Sequence, residues 1–160
     1  MKKATIRTTY TIYPSDGELP DAEKELLGAA KKALSRSYAP YSRFHVGAAV
    51  RLSNDEVVTS TNYENASYPI SVCAEHSALI AAANHPSGAV PVALAITVKT
   101  AVKTIDRPAL PCGSCRQVIV ETEQKNNTPL QVILQGETGE VFIFENGRDM
   151  LPLAFDGGFL

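Results

Sequence analysis

With 160 residues, 44% of them hydrophobic, the chain has the size and apolar content of one globular domain able to bury about two-thirds of its unfolded surface. Fifteen basic against seventeen acidic side chains leave a net charge of −2 with no basic stripe, which argues against a nucleic-acid channel or a polybasic membrane patch. No apolar run approaches the ~20 residues of a membrane span. The opening Met1-Lys2-Lys3-Ala4-Thr5 lacks the apolar stretch of a signal peptide, and three unpaired thiols fit a reducing compartment, so a cytoplasmic location is expected.

In chain order, residues 4–13 alternate loosely, with Ile6, Tyr10 and Ile12 among threonines, and are expected to form an edge strand or an ordered arm. Asp16-Gly17-Glu18-Leu19-Pro20 reads as a turn. From about Asp21 to Ser37, Leu27, Ala30, Leu34 and Tyr38 recur at helical spacing, acidic residues crowd the first turn, and Pro40 stops the helix. Val46 to Leu52 and Val57 to Thr61 read as a hairpin around Ser53-Asn54-Asp55. The alanine-rich stretch from Ala74 to Asn84, closed by His85-Pro86-Ser87-Gly88, predicts a buried helix. Val90 to Val98 is almost continuously apolar, the mark of a strand covered on both faces. A further helix is expected from Gly113 to about Gln124, then strands over Leu130–Leu134 and Val141–Phe144 around a turn at Gly136–Gly139. This order predicts an α/β fold: a three-layer α-β-α sandwich with a central mixed sheet of five strands. Residues 1–18 are expected to form an N-terminal arm or edge strand, and residues 19–160 a single domain.

All three cysteines fall in two short segments, Cys73-Ala74-Glu75 and Pro111-Cys112-Gly113-Ser114-Cys115. The C-x2-C spacing of Cys112 and Cys115 suits two thiolates on one tetrahedral zinc, and equally a redox pair. A redox pair is expected near a first strand; here it lies late, behind a proline, and leaves Cys73 unexplained. A structural four-ligand site would need another donor, and His45, His76 and His85 make no second pair at zinc-finger spacing. A catalytic zinc with three thiolates and an open fourth position is the better reading. Both segments precede predicted helices, whose N-terminal N–H groups favour thiolate over thiol. Arg116, beside Cys115, could add charge that offsets three thiolates. Glu75 is placed to move protons, although an acidic residue in a first helical turn is common without any such role.

These residues match the known signature of zinc deaminases, His or Cys, any residue, Glu, then Pro-Cys-x-x-Cys. More closely, the chain resembles the small homotetrameric cytidine deaminases. The resemblance is carried by Tyr41-Ser42-Arg43-Phe44-His45-Val46-Gly47-Ala48-Ala49, Asn62-Tyr63-Glu64-Asn65-Ala66-Ser67-Tyr68-Pro69, the two cysteine segments with Arg116-Gln117-Val118, and Leu151-Pro152-Leu153-Ala154-Phe155. It implies hydrolytic deamination of cytidine and deoxycytidine, with Cys73, Cys112 and Cys115 holding one zinc per subunit and Glu75 shuttling protons. It further implies that Asn62 and Glu64 bind the ribose 3′-hydroxyl, that the backbone around Ala74 meets the pyrimidine amide edge, and that Phe44 packs near the nucleoside. Phe155 matches an aromatic that reaches a neighbouring subunit's site, and Tyr68 a tyrosine at the subunit boundary. The implied partners are a small-molecule nucleoside and copies of the chain in a homotetramer, with no nucleic acid and no membrane. One position departs from the pattern: His76 stands where the family commonly has an arginine, so its compensating charge exists only when it is protonated. Two other readings are the same chemistry on a modified or antibiotic aminopyrimidine nucleoside, and a non-catalytic zinc-stabilised interaction protein.

Overall fold

The computed structural model describes residues 1–160. Its main elements are β1 (Thr11–Tyr13), α1 (Asp21–Ala33), β2 (Phe44–Leu52), β3 (Val57–Thr61), α2 (Ala74–Ala83), β4 (Pro91–Thr100), α3 (Gly113–Asn126), β5 (Gln131–Gln135) and β6 (Val141–Phe144). The strands form one mixed sheet in the order β1-β6-β5-β4-β2-β3. All neighbours pair antiparallel except β4 and β5, whose parallel pairing, Ala95 opposite Ile133, needs the crossover that α3 supplies.

Side chains of a strand alternate between faces, and that alternation divides the core. Ala49, Ala93, Ala95, Ile133 and Ile143 face Leu26, Leu27 and Ala30 of α1. Ala48, Val50, Leu94, Ile96, Val132 and Leu134 face Ala74, Ala78, Leu79 and Ala82 of α2 and Ile119 of α3. β4 is therefore covered on both sides, as its apolar run predicts. α1 comes close to the sheet because Gly47 has no side chain: a Cβ there would collide with the Ala30 carbonyl.

The sheet has six strands, one more than expected. Thr11–Tyr13 pairs with β6, Thr11 opposite Ile143, so the N-terminal segment covers an edge that would otherwise be open to solvent. Residues 1–10 carry no regular structure. α1 stops at Ala33 and tightens into a 3-10 turn over Leu34–Arg36, short of Ser37. The physical cause is tertiary: the Tyr38 N–H donates to the Asn62 carbonyl at 3.2 Å, drawing the chain away from the helix axis. Tyr38, expected on the buried face, is consequently exposed and stacks on Tyr63 at 4.9 Å.

Candidate metal centre and active site

α2 and α3 pack side by side and begin at the same end of the sheet, so their N-termini bring the cysteines together. Cys73 is the residue before α2, Cys112 the residue before α3, and Cys115 lies in the first turn of α3. Their three Sγ atoms lie within 4.8 Å of one another, and those of Cys112 and Cys115 are 3.5 Å apart. A tetrahedral zinc with Zn–S bonds of about 2.3 Å separates its sulfurs by about 3.8 Å, so the spread fits one ion. The three thiols are free, at a spacing well beyond a disulfide bond. The donor set is also chemically apt, because three soft sulfur donors suit zinc. The hydrogen bond with Cys115 pulls the Cys73 thiol down to about 7, while the same bond and burial push Cys115 up.

Glu75, in the first turn of α2, is only 6% exposed. Burial raises its carboxyl above the ordinary range, against a smaller pull from its own backbone, Cys115 and His76. A carboxyl raised by burial holds its proton more readily and is suited to giving one as well as taking one. His76 is half-buried on the same turn. The guanidinium of Arg116 is engaged with two carbonyls: Nε donates to Pro111 at 2.9 Å and an Nη to Met150 at 3.0 Å. It ties the residue before Cys112 to the C-terminal turn. Ala74 is fully buried at the start of α2.

Asn62, Glu64 and Phe44 form one hydrogen-bonded group. The Asn62 Oδ1 accepts from the Val46 N–H at 2.8 Å and the Ser37 hydroxyl at 2.6 Å, and its Nδ2 donates to the Phe44 carbonyl at 2.8 Å. Glu64 accepts from the Tyr41 N–H at 2.9 Å, the Ser42 N–H at 3.2 Å and, closely, the Ser42 hydroxyl. The Ser42 hydroxyl chiefly holds the Glu64 carboxyl below the usual range. Ser42 also accepts from the Phe44 N–H at 3.0 Å, across a left-handed Arg43 at φ 54°. Ser37 is not marked by the sequence, and Ser42 enters it only as one member of the Tyr41–Ala49 stretch, with no role of its own.

Phe44 lines a cavity of about 600 Å³ with Ile105, Leu110, Phe142, Lys103 and Arg107, on the sheet face that carries α2 and α3. Tyr68 is exposed and meets Tyr41 edge-on at 5.9 Å. Phe155 is exposed, stacks on Phe159 at 5.5 Å, and is not among the residues lining the Phe44 cavity of its own chain. Glu123 of α3, which the sequence does not mark either, is a buried carboxylate that accepts from the N–H groups of Leu130, Gly147 and Arg148.

Residues 20–128 match the family model described as the cytidine and deoxycytidylate deaminase zinc-binding region. A cytidine deaminase from Halalkalibacterium halodurans is 38% identical over 130 residues, covering 81% of this chain and 91% of that protein. One from Mycobacterium tuberculosis is 40% identical over 104 residues, covering 64% of this chain and 74% of its own length. The crystal structure of cytidine deaminase from Burkholderia pseudomallei aligns with a TM-score of 0.69 at 39% identity, covering 82% of this chain and 97% of that one. With three sulfurs at zinc spacing, a buried glutamate beside them and these relatives along most of its length, the chain belongs to the cytidine and deoxycytidylate deaminase zinc-binding family.

Proposed function

We propose that this protein is a zinc-dependent hydrolase that converts cytidine and deoxycytidine to uridine and deoxyuridine with release of ammonia. The observation that carries the reading is the convergence of Cys73, Cys112 and Cys115 beside the buried Glu75. Zinc bound by the three thiolates supplies Lewis-acid activation of a water nucleophile. Glu75 takes a proton from the attacking water and delivers it to the pyrimidine N3. It then moves the proton of the new hydroxyl at C4 to the departing amine, so that water in and ammonia out balance. Asn62 and Glu64 orient the ribose 3′-hydroxyl, Phe44 packs against the nucleoside, and the backbone at Ala74 meets the amide edge of the base. His76 and Arg116 offset the negative charge of the thiolates.

The same reading extends to the assembly. It includes one zinc per subunit and a cytoplasmic location, and a homotetramer with Tyr68 at a subunit boundary and Phe155 reaching a neighbouring site, which the exposure of both rings supports. No helix is long and apolar enough to cross a membrane. Residues 19–160 act as one domain of three layers, α1 against one sheet face and α2 with α3 against the other, preceded by an arm over residues 1–18.

Glu75→Gln keeps the shape of the side chain and removes its proton transfer. Turnover of cytidine, followed by ultraviolet absorbance, is expected to fall by roughly 10²–10⁴ with zinc content unchanged. Undiminished turnover in this variant refutes the assignment.

A further inference from the structure

The segment ahead of residue 20 lies outside the family match, yet it is tied to the rest of the molecule at three points. Thr11–Tyr13 pairs with β6. The Tyr10 ring sits over Phe142 and Phe144, with centroids at 4.9 and 5.0 Å. The Thr8 hydroxyl donates to the Asp149 carbonyl at 2.9 Å. Phe142 and Phe144 belong to the core on the α2 and α3 side of the sheet. Having left the sheet edge at Thr11, the arm therefore folds onto the side of the molecule that holds the cysteines.

Thr8 there borders a hollow of about 220 Å³ with Leu110, Arg116, Phe144 and Met150. Arg116 follows Cys115, and its guanidinium holds the carbonyl of Pro111, which precedes Cys112, against the carbonyl of Met150, which follows Asp149. Cys112 is exposed and has no side-chain cap bond at the start of α3. Its sulfur donates to that of Cys115 at 3.5 Å, and the backbone that carries it follows Pro111, whose carbonyl Arg116 holds. Arg116 in turn is anchored on the Met150 carbonyl, in the turn that Thr8 meets at Asp149, and it lines the same hollow as the Phe144 ring beneath Tyr10.

We infer that Thr8 and Tyr10 are positioning residues for the metal centre, bracing the Met150 turn and Phe144 so that Arg116 keeps Cys112 in register with Cys73 and Cys115. The inference rests on the zinc reading above. A thiolate held in place binds metal more tightly than one that must be ordered on binding, and outer partners of metal ligands commonly contribute 10–100-fold to affinity.

The test uses full-length, zinc-loaded protein and the variants Thr8→Val, Tyr10→Ala and Tyr10→Phe. Leu27→Ala, on the opposite face of the sheet, is the control for general destabilisation. Zinc release to a chromogenic chelator is timed, and the thiolate-to-metal absorption bands of the cobalt form are recorded. Tyr10→Ala and Thr8→Val are expected to release zinc roughly tenfold faster and to shift the cobalt bands. Tyr10→Phe keeps the ring and should match wild type, while Leu27→Ala should lose thermal stability at a wild-type release rate. Wild-type release and spectra in both Thr8→Val and Tyr10→Ala, or equal acceleration in Leu27→Ala, overturn the inference alone. A wild-type protein that takes up no zinc overturns the deaminase reading as well.

Discussion

Replacing Glu123 by alanine removes a carboxylate that three backbone donors share: Leu130 at 2.8 Å, Gly147 at 2.7 Å and Arg148 at 3.1 Å. Leu130 and Gly147 are buried, so their N–H groups lose their partner with no water to replace it, whereas Arg148 is exposed and can be hydrated. Each orphaned buried donor costs about 1–3 kcal/mol, roughly 4 kcal/mol for the pair. Some of that is recovered because the variant no longer desolvates a buried charge, leaving about 3 kcal/mol. For a chain of this size that is a fall in Tm of about 6–12 °C. Glu123→Gln retains one carbonyl oxygen for Leu130 and Gly147 and should lose only about 1 kcal/mol. Urea and thermal denaturation of the zinc-loaded protein measure both variants. A Glu123→Ala protein within about 0.5 kcal/mol of wild type, or a glutamine variant as unstable as alanine, refutes the reasoning.

Three further outcomes rest on particular contacts. Ser42→Ala deprives Glu64 of the hydroxyl that holds its carboxyl down, so KM for cytidine should rise about fivefold, the factor for one hydrogen bond of ~1 kcal/mol, with kcat nearly unchanged. Because the native carboxyl is lowered and must be ionised to accept, its acid limb in a KM–pH profile should move to higher pH in the variant; an unmoved limb contradicts the role given to Ser42. Asp16 is pulled below the ordinary carboxylate range chiefly by the 2.7 Å hydrogen bond from Lys31. Its contribution is present above the unfolded pKa of about 3.9 and is lost as pH falls through the lower folded value, so Asp16→Asn should lower stability at pH 7 and not in strong acid. Both partners are substantially exposed, which keeps the difference below about 1 kcal/mol in denaturation curves. Gly47→Ala places a methyl on the Ala30 carbonyl and should cost at least ~2 kcal/mol by urea titration; a variant of wild-type stability would mean that α1 is not seated as described.

The zinc ligands and Glu75 are legible in the amino-acid sequence because their signal is local: two thiols at one helix start, a third thiol at another, and a carboxylate two residues on. The hydrogen-bonded group proposed to hold the ribose is legible only in part. Asn62 and Glu64 stand out through the family resemblance, while Ser37 and Ser42, which orient them, sit on the other side of a strand pair and carry no spacing signal. Glu123 resembles any polar position on a surface helix until the returning chain at Leu130 and Gly147 encloses it.

Element types and most of their limits are dictated by short-range properties, namely the period of apolar residues, the placing of proline and glycine, and the charges at helix ends. The buried run at β4 needs nothing more. Long-range closure decides the remainder: that Thr11–Tyr13 becomes a sixth strand, that α1 gives way early at Ala33, and that Thr8 meets Asp149. Such contacts join residues of ordinary type, and their free energy appears only when the sheet and helices have already brought them together. The same holds for the metal centre, where sulfur type and spacing are written along the chain but a common point for three Sγ atoms exists only once α2 and α3 lie side by side.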